Sequence, residues 1–159
     1  MATDEEIYYH CLPFSKLSIQ ELYDLLRLRQ EVFIVEQDCP YLDTDDRDIH
    51  CYHLIGTDIH GHIYAYARLV PIGISYEHYA SIGRVVTSNM IRGRGEGRRL
   101  MAESLKWMKQ LFPNQKIKIS AQSYLIQFYE SLGFKVVGEE YLEDGIPHTG
   151  MILAVSSEQ

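Results

Sequence analysis

The chain has 159 residues, 46% apolar and 23% charged, which is enough apolar material for one ordinary core and excludes a disordered chain. Its formal net charge of −7 excludes nucleic-acid binding by phosphate neutralisation, and no apolar run approaches the about 20 residues of a membrane helix. Cys11, Cys39 and Cys51 form no CxxC pair, and the acidic start Asp4-Glu5-Glu6 lacks the parts of a signal peptide, so the expected setting is cytoplasmic with reduced thiols.

Residues 7–12 read as a short strand. Ser18-Ile19-Gln20-Glu21 is a capping box, and Leu22, Leu25, Leu26, Leu28, Val32 and Phe33 follow with the spacing of an amphipathic helix. Residues 38–48 contain Pro40, five aspartates and one arginine, a loop long enough to carry function. Strand-like runs at 49–57 and 62–70 join through Asp58-Ile59-His60-Gly61 as a hairpin. A strand over 80–87 leads into a glycine loop, Arg92-Gly93-Arg94-Gly95-Glu96-Gly97-Arg98. A helix over 97–111 follows, with Leu100, Met101, Leu105, Met108 and Leu111 on its apolar face. A strand at 117–121 comes next, then a short helix at 124–132 closed by Gly133. Strands at 135–143 and 148–155, linked by Asp144-Gly145-Ile146-Pro147, complete the chain. With no repeat and no linker, residues 1–159 read as one mixed α+β domain.

The informative unit is strand, glycine loop, helix. Glycines at 93, 95 and 97 allow close approach of a ligand to the backbone. The helix behind them begins with unpaired amides and the positive end of its dipole. Arg92, Arg94, Arg98 and Arg99 stand around it. Together these predict a phosphate or diphosphate. A Walker loop needs lysine followed by serine or threonine, and Gly97-Arg98-Arg99 has neither. A dinucleotide fingerprint needs glycine at position 98 and an acid near the end of the next strand, and Ile117-Lys118-Ile119-Ser120-Ala121 supplies none.

The run Arg92-Gly93-Arg94-Gly95-Glu96-Gly97 resembles the Q/R-x-x-G-x-G/A motif of the GNAT N-acetyltransferases. Phe128-Tyr129-Glu130-Ser131-Leu132-Gly133-Phe134 is similar to that family's second signature. Both stand in the right order, and the resemblance covers about residues 22–153. Arg29 through Tyr41, Ala65-Tyr66-Ala67-Arg68, Ile82-Gly83-Arg84-Val85 and Glu143-Asp144-Gly145-Ile146-Pro147-His148 resemble the ElaA-type subgroup. The resemblance implies a central, mostly antiparallel twisted sheet, splayed at the coenzyme A site and flanked by helices. It implies acetyl-CoA as co-substrate, with Arg92, Gly93, Arg94, Gly95, Glu96, Gly97 and Arg98 around the pyrophosphate. Val85, Val86 and Thr87 would meet the pantetheine arm, with Gln122 and Tyr124 nearby.

Acetyl transfer to an amine requires a polarised carbonyl, a base and an acid. The resemblance assigns Tyr129 as general acid toward the leaving thiolate. The glutamate that some relatives carry on the strand at 117–119 is missing, so the base is left among His53, His148, Glu36 and Glu143; histidine is the side chain suited to proton transfer near neutrality. Arg29, Arg68 and Arg84 lie in apolar segments. They either pair with Glu36 and the aspartates or grip an anionic substrate, and Arg29, Glu36 and Arg84 are kept as substrate candidates. His50, His53 and the aspartates lack metal-site order, so no metal is expected. The expected partner is a small-molecule or peptide amine, with neither nucleic acid nor membrane, and a homodimer is compatible with the fold. The alternative function is a non-catalytic acyl-CoA sensor acting on a protein partner.

Overall fold

The computed structural model describes residues 2–154. Val155, placed by the sequence in the last strand, lies outside them. In chain order the elements are β1 (Tyr8–Pro13), α1 (Ile19–Arg29), β2 (Tyr52–Thr57), β3 (Ile63–Val70), β4 (Ser81–Thr87), α2 (Glu96–Leu111), β5 (Ile117–Gln122), α3 (Ile126–Glu130), β6 (Lys135–Glu143) and β7 (Ile146–Leu153). The strands form two antiparallel sheets, β1-β2-β3-β4 and β5-β7-β6. A single parallel bridge, Ala80 to Ile117, joins them. The mixed α+β class holds, and the expected central sheet is divided at β4 and β5. Among the described residues, no helix is long and apolar enough to cross a membrane.

Helix α1 starts where the capping box places it: Ser18 accepts from the Glu21 amide and Glu21 accepts from the Ser18 amide. It does not end cleanly. The apolar run continues as a π-helical stretch, Gln30–Glu36, with Gln37 and Cys39 donating to carbonyls five residues back. The 49–57 strand is shorter than expected, because Asp48–His50 forms a 3₁₀ turn before β2. Helix α2 buries Leu100, Met101 and Met108 in the main core and packs on β3 and β4. Leu25, Leu28 and Val32 of α1 and the stretch behind it pack on Ile55, Tyr66 and Val86.

The 38–48 loop is pinned to the end of α1 and to the first sheet by three guanidiniums and three carboxylates. Arg29 donates to Asp43 and Asp48, each at 2.7 Å; Arg68 donates to Asp45 at 2.8 Å and Asp48 at 2.9 Å; Arg84 donates to Asp43 at 2.8 Å. Arg29 is fully buried and also lies over the Tyr66 ring. Burial pushes the Asp48 carboxyl up, but hydrogen bonds and charge from Arg29 and Arg68 outweigh it and hold the group below its ordinary range. Asp45, which Arg68 also grips, is lowered on the same balance. A carboxyl depressed in the folded state adds stability above its unfolded pKa of about 4 and loses it as pH falls below that value. Melting temperature should therefore drop steeply below about pH 4. Asp48→Asn strips charge from two buried arginines and should cost about 3 kcal/mol or more at neutral pH, roughly 6–12 °C in Tm. Calorimetric melts of both proteins from pH 3 to 8 check this; equal melting temperatures at pH 7 would contradict it.

Candidate active site

Strands β4 and β5 touch only at their start, where the Lys118 amide donates to the Ala80 carbonyl at 2.9 Å. They then diverge. The cause lies in β4: β3 residues Tyr66 and Arg68 pair with Val86 and Gly83, so β4 holds one extra residue between them. That is a β-bulge, and Arg84 within it has φ of +50°. A left-handed arginine is strained, and its hydrogen bonds to Asp43 and Asp45 hold it there. The bulge bends β4 away from β5 and leaves the β5-facing backbone of residues 82–87 without a strand partner. Nothing in the local sequence beyond Gly83 signals it.

Beyond β4 lies the glycine loop. Gly93 and Gly95 have φ of +81° and +77°, and Gly95 caps α2 with no side-chain hydrogen bond. The first amide to close a turn is Arg99, onto the Gly95 carbonyl, so the Glu96, Gly97 and Arg98 amides stay open. A Cβ built on Gly93, Gly95 or Gly97 meets no atom within 4 Å. Open amides, a helix N-terminus and clear space above them fit a diphosphate. The side chains differ from expectation. Arg92 donates to the Thr87 carbonyl and to Glu36 at 2.8 Å, and Arg94 donates to the Thr3 carbonyl at 2.9 Å. Glu96 turns inward and accepts from the Tyr9 hydroxyl at 2.6 Å. Arg98 donates to Ser131 at 3.0 Å and stacks on Phe128, so this arginine ties α2 to α3. The loop offers its backbone, and its side chains brace it.

Between β4 and β5 opens a cleft of about 430 Å³. Tyr129 enters it from α3, its ring packed edge-on against Phe128 and Phe134. Its hydroxyl has no hydrogen-bond partner among the described residues, and burial pushes its pKa up to about 12. The phenol is therefore a proton donor at neutral pH. On the facing wall, Gln122, His148 and Tyr141 pair across β5, β7 and β6. His148 Nδ1 lies 2.7 Å from the Ile146 carbonyl. A carbonyl can only accept, so Nδ1 carries a hydrogen, and in the neutral ring Nε2 is the nitrogen with the lone pair. Nε2 is 3.6 Å from the Glu143 carboxylate. Glu143 also accepts from the Ser120 hydroxyl at 3.1 Å, and Ser120 in turn accepts from Tyr141. Tyr141 and Ser120, which sequence reasoning passed over, sit on the strand faces that the alternation of β5 and β6 directs to the cleft.

Other expected residues are placed elsewhere. His53 is fully buried in the first sheet. Its Nε2–H donates to the Asp48 carbonyl at 2.9 Å and Nδ1 accepts from the Tyr66 hydroxyl at 2.6 Å; burial lowers its pKa. With both nitrogens engaged inside the core, it has no route to the cleft. Arg29 is likewise sealed by Asp43 and Asp48 and cannot meet a substrate. Arg84 reaches the cleft wall but is committed to Asp43 and Asp45, and Glu36 to Arg92. For these arginines the pairing alternative is the one observed. Val86 is buried, with its side chain in the core below β4, so only its backbone can serve a ligand. The Thr87 carbonyl is already taken by Arg92. Gln122 Nε2 reaches Gln37 at 3.5 Å across the cleft, and Tyr124 is exposed outside it. No cluster of metal-ligating side chains occurs among the described residues.

Comparison with known proteins bears on what this arrangement does. The profile of the acetyltransferase (GNAT) domain matches residues 49–155. A UPF0039 protein of Schizosaccharomyces pombe is 43% identical over 88% of this chain and 92% of its own. Protein ElaA of Escherichia coli is 41% identical over 91% and 95%. Among solved structures, an acyl-CoA N-acyltransferase from Pseudomonas aeruginosa superposes with a TM-score of 0.88 at 40% identity, covering 94% of this chain and all of that one. E. coli ElaA superposes with a TM-score of 0.86 at 39% identity, covering 93% and 99%.

The hydrogen bond to Ile146 fixes which nitrogen of His148 faces the cleft. Long-range ¹⁵N–¹H correlation spectra of histidine-labelled protein should show its neutral form as the Nδ1–H tautomer. A neutral Nε2–H form would contradict the geometry.

Proposed function

The chain belongs to the GNAT acetyltransferase family, and on that footing we propose that it transfers an acetyl group from acetyl-CoA directly to a primary amine. That the chain is an acyltransferase using acyl-CoA follows from the family and from the acyl-CoA N-acyltransferase that the fold superposes on. One observation carries the proposal: a proton donor, Tyr129, and a lone-pair acceptor, His148, line the same cleft at the parting of β4 and β5.

Acyl-CoA, when bound, supplies an acyl group activated as a thioester. The chain's own groups do the rest. Open amides of Glu96, Gly97 and Arg98 hold the diphosphate. The unpaired edge of β4 takes the pantetheine arm, and the Val85 or Val86 amide steadies charge developing on the carbonyl oxygen. His148 Nε2 accepts the amine proton as the C–N bond forms, and the Glu143 carboxylate 3.6 Å away offsets the resulting charge. The Tyr129 hydroxyl delivers a proton to sulfur as the C–S bond breaks. The glutamate missing from β5 thus has a substitute on β6 and β7.

The test is thiol release from acetyl-CoA over a library of primary amines, in wild type and in variants. Tyr129→Phe should lower kcat about 100-fold or more, and His148→Gln should do likewise. Because the Tyr129 pKa is pushed up to about 12, the wild-type rate should not fall near pH 10, where an ordinary phenol ionises. Full activity in Tyr129→Phe, or no thiol release with any amine, would sink the proposal.

A further inference from the structure

The cleft's charges, taken one by one, describe the acceptor; the inference rests on the acyl-transfer reading above. Two arginines on the wall, Arg68 and Arg84, belong to the neutral knot in which Arg29, Arg68 and Arg84 meet Asp43, Asp45 and Asp48. They offer a ligand no net charge. Arg47 is different. Its amide donates to Asp45 at 3.1 Å and its carbonyl accepts from the Cys51 thiol at 3.1 Å, so its backbone is tied to the knot. Arg47 lines the cleft, is exposed, and its guanidinium makes no hydrogen bond or ion pair among the described residues. The acid side of the cleft is the β6–β7 turn, with Glu143 and Asp144 beside His148. The Cys39 thiol joins the two walls by donating to the Asp144 carbonyl at 3.3 Å.

We propose that the acceptor is a zwitterion, an amino acid whose carboxylate pairs with Arg47 while its amine faces His148 and Glu143. Tyr76 lines the cleft with Arg47 and Glu143: burial chiefly raises its phenol to about 12, Tyr141 and Glu143 push in the same direction, and Arg47 pulls against them. Both charged walls therefore act on one ring. A polyamine would set a cation against Arg47, and a plain amine would leave the guanidinium unused. An amino acid satisfies both walls in one orientation, amine toward the proton acceptor and carboxylate away from it. Tyr41, Tyr76 and Phe33, which also line the cleft, give its side chain an aromatic surround.

The test compares paired acceptors: L-phenylalanine with 2-phenylethylamine, and L-leucine with 3-methylbutylamine, with spermidine alongside. Thiol release from acetyl-CoA gives kcat/KM for each in wild type, Arg47→Ala and Arg47→Gln. The intrinsic reactivity of each amine is the same for all three proteins, so the change in the acid-to-amine ratio isolates the guanidinium. The ratio should fall about tenfold or more in both variants, while 2-phenylethylamine keeps its wild-type value within about twofold. A ratio unchanged by both variants, or spermidine as the preferred acceptor, overturns the inference and leaves acyl transfer standing. No thiol release with any of the five acceptors overturns the inference alone, since acyl transfer is tested by the wider amine library.

Discussion

Arg84 is an arginine in left-handed backbone, in the middle of a strand, held there by Asp43 and Asp45. Much of the molecule follows from that one residue. Because it carries the extra position of the bulge, β4 leaves β5 after a single bridge, and a cleft opens where a continuous sheet would otherwise run. Because its partners sit on the 38–48 loop, the same contact that strains the strand also builds the cleft's wall. Such strain persists only where its surroundings over-determine it, and here Arg29 and Arg68 fasten the same loop from within the core.

The division of labour between backbone and side chain follows the same logic. At the glycine loop the arginines look, in sequence, like the anion site. In the structure they brace: Arg92 bonds to the end of β4, Arg94 to the N-terminal segment and Arg98 to α3. What they brace is a row of open amides at the start of α2. Fixed dipoles bind an anion with less ordering than flexible guanidiniums do. Glu96, an acid at an anion site, is reconciled in the same way: Tyr9, Arg94 and Arg99 draw it inward.

The capping box, the apolar stripes of α1 and α2, the Asp144-Gly145 turn and the strand–loop–helix unit were legible because each is a local rule written in adjacent residues. The two-signature resemblance pointed to Tyr129, which the structure places in the cleft. Three things were not legible. The bulge at Arg84 depends on partners some 40 residues away in sequence. The fate of Arg29 and His53 depended on burial, which periodicity does not report for a polar residue inside an apolar run. The polar wall of the cleft is assembled from β5, β6 and β7 by strand pairing, so His148, Glu143, Ser120 and Tyr141 come together only once the register is known.

On the proposed function, one continuous surface, from the parted edge of β4 to the open amides of α2, holds acyl-CoA. An amide ¹H–¹⁵N titration with coenzyme A reads that surface directly. Saturable shifts should concentrate at residues 83–87 and 93–99, with the paired strands β1 and β2 unmoved. Saturation without change at the Glu96, Gly97 and Arg98 amides, or no saturable change at all, would contradict it.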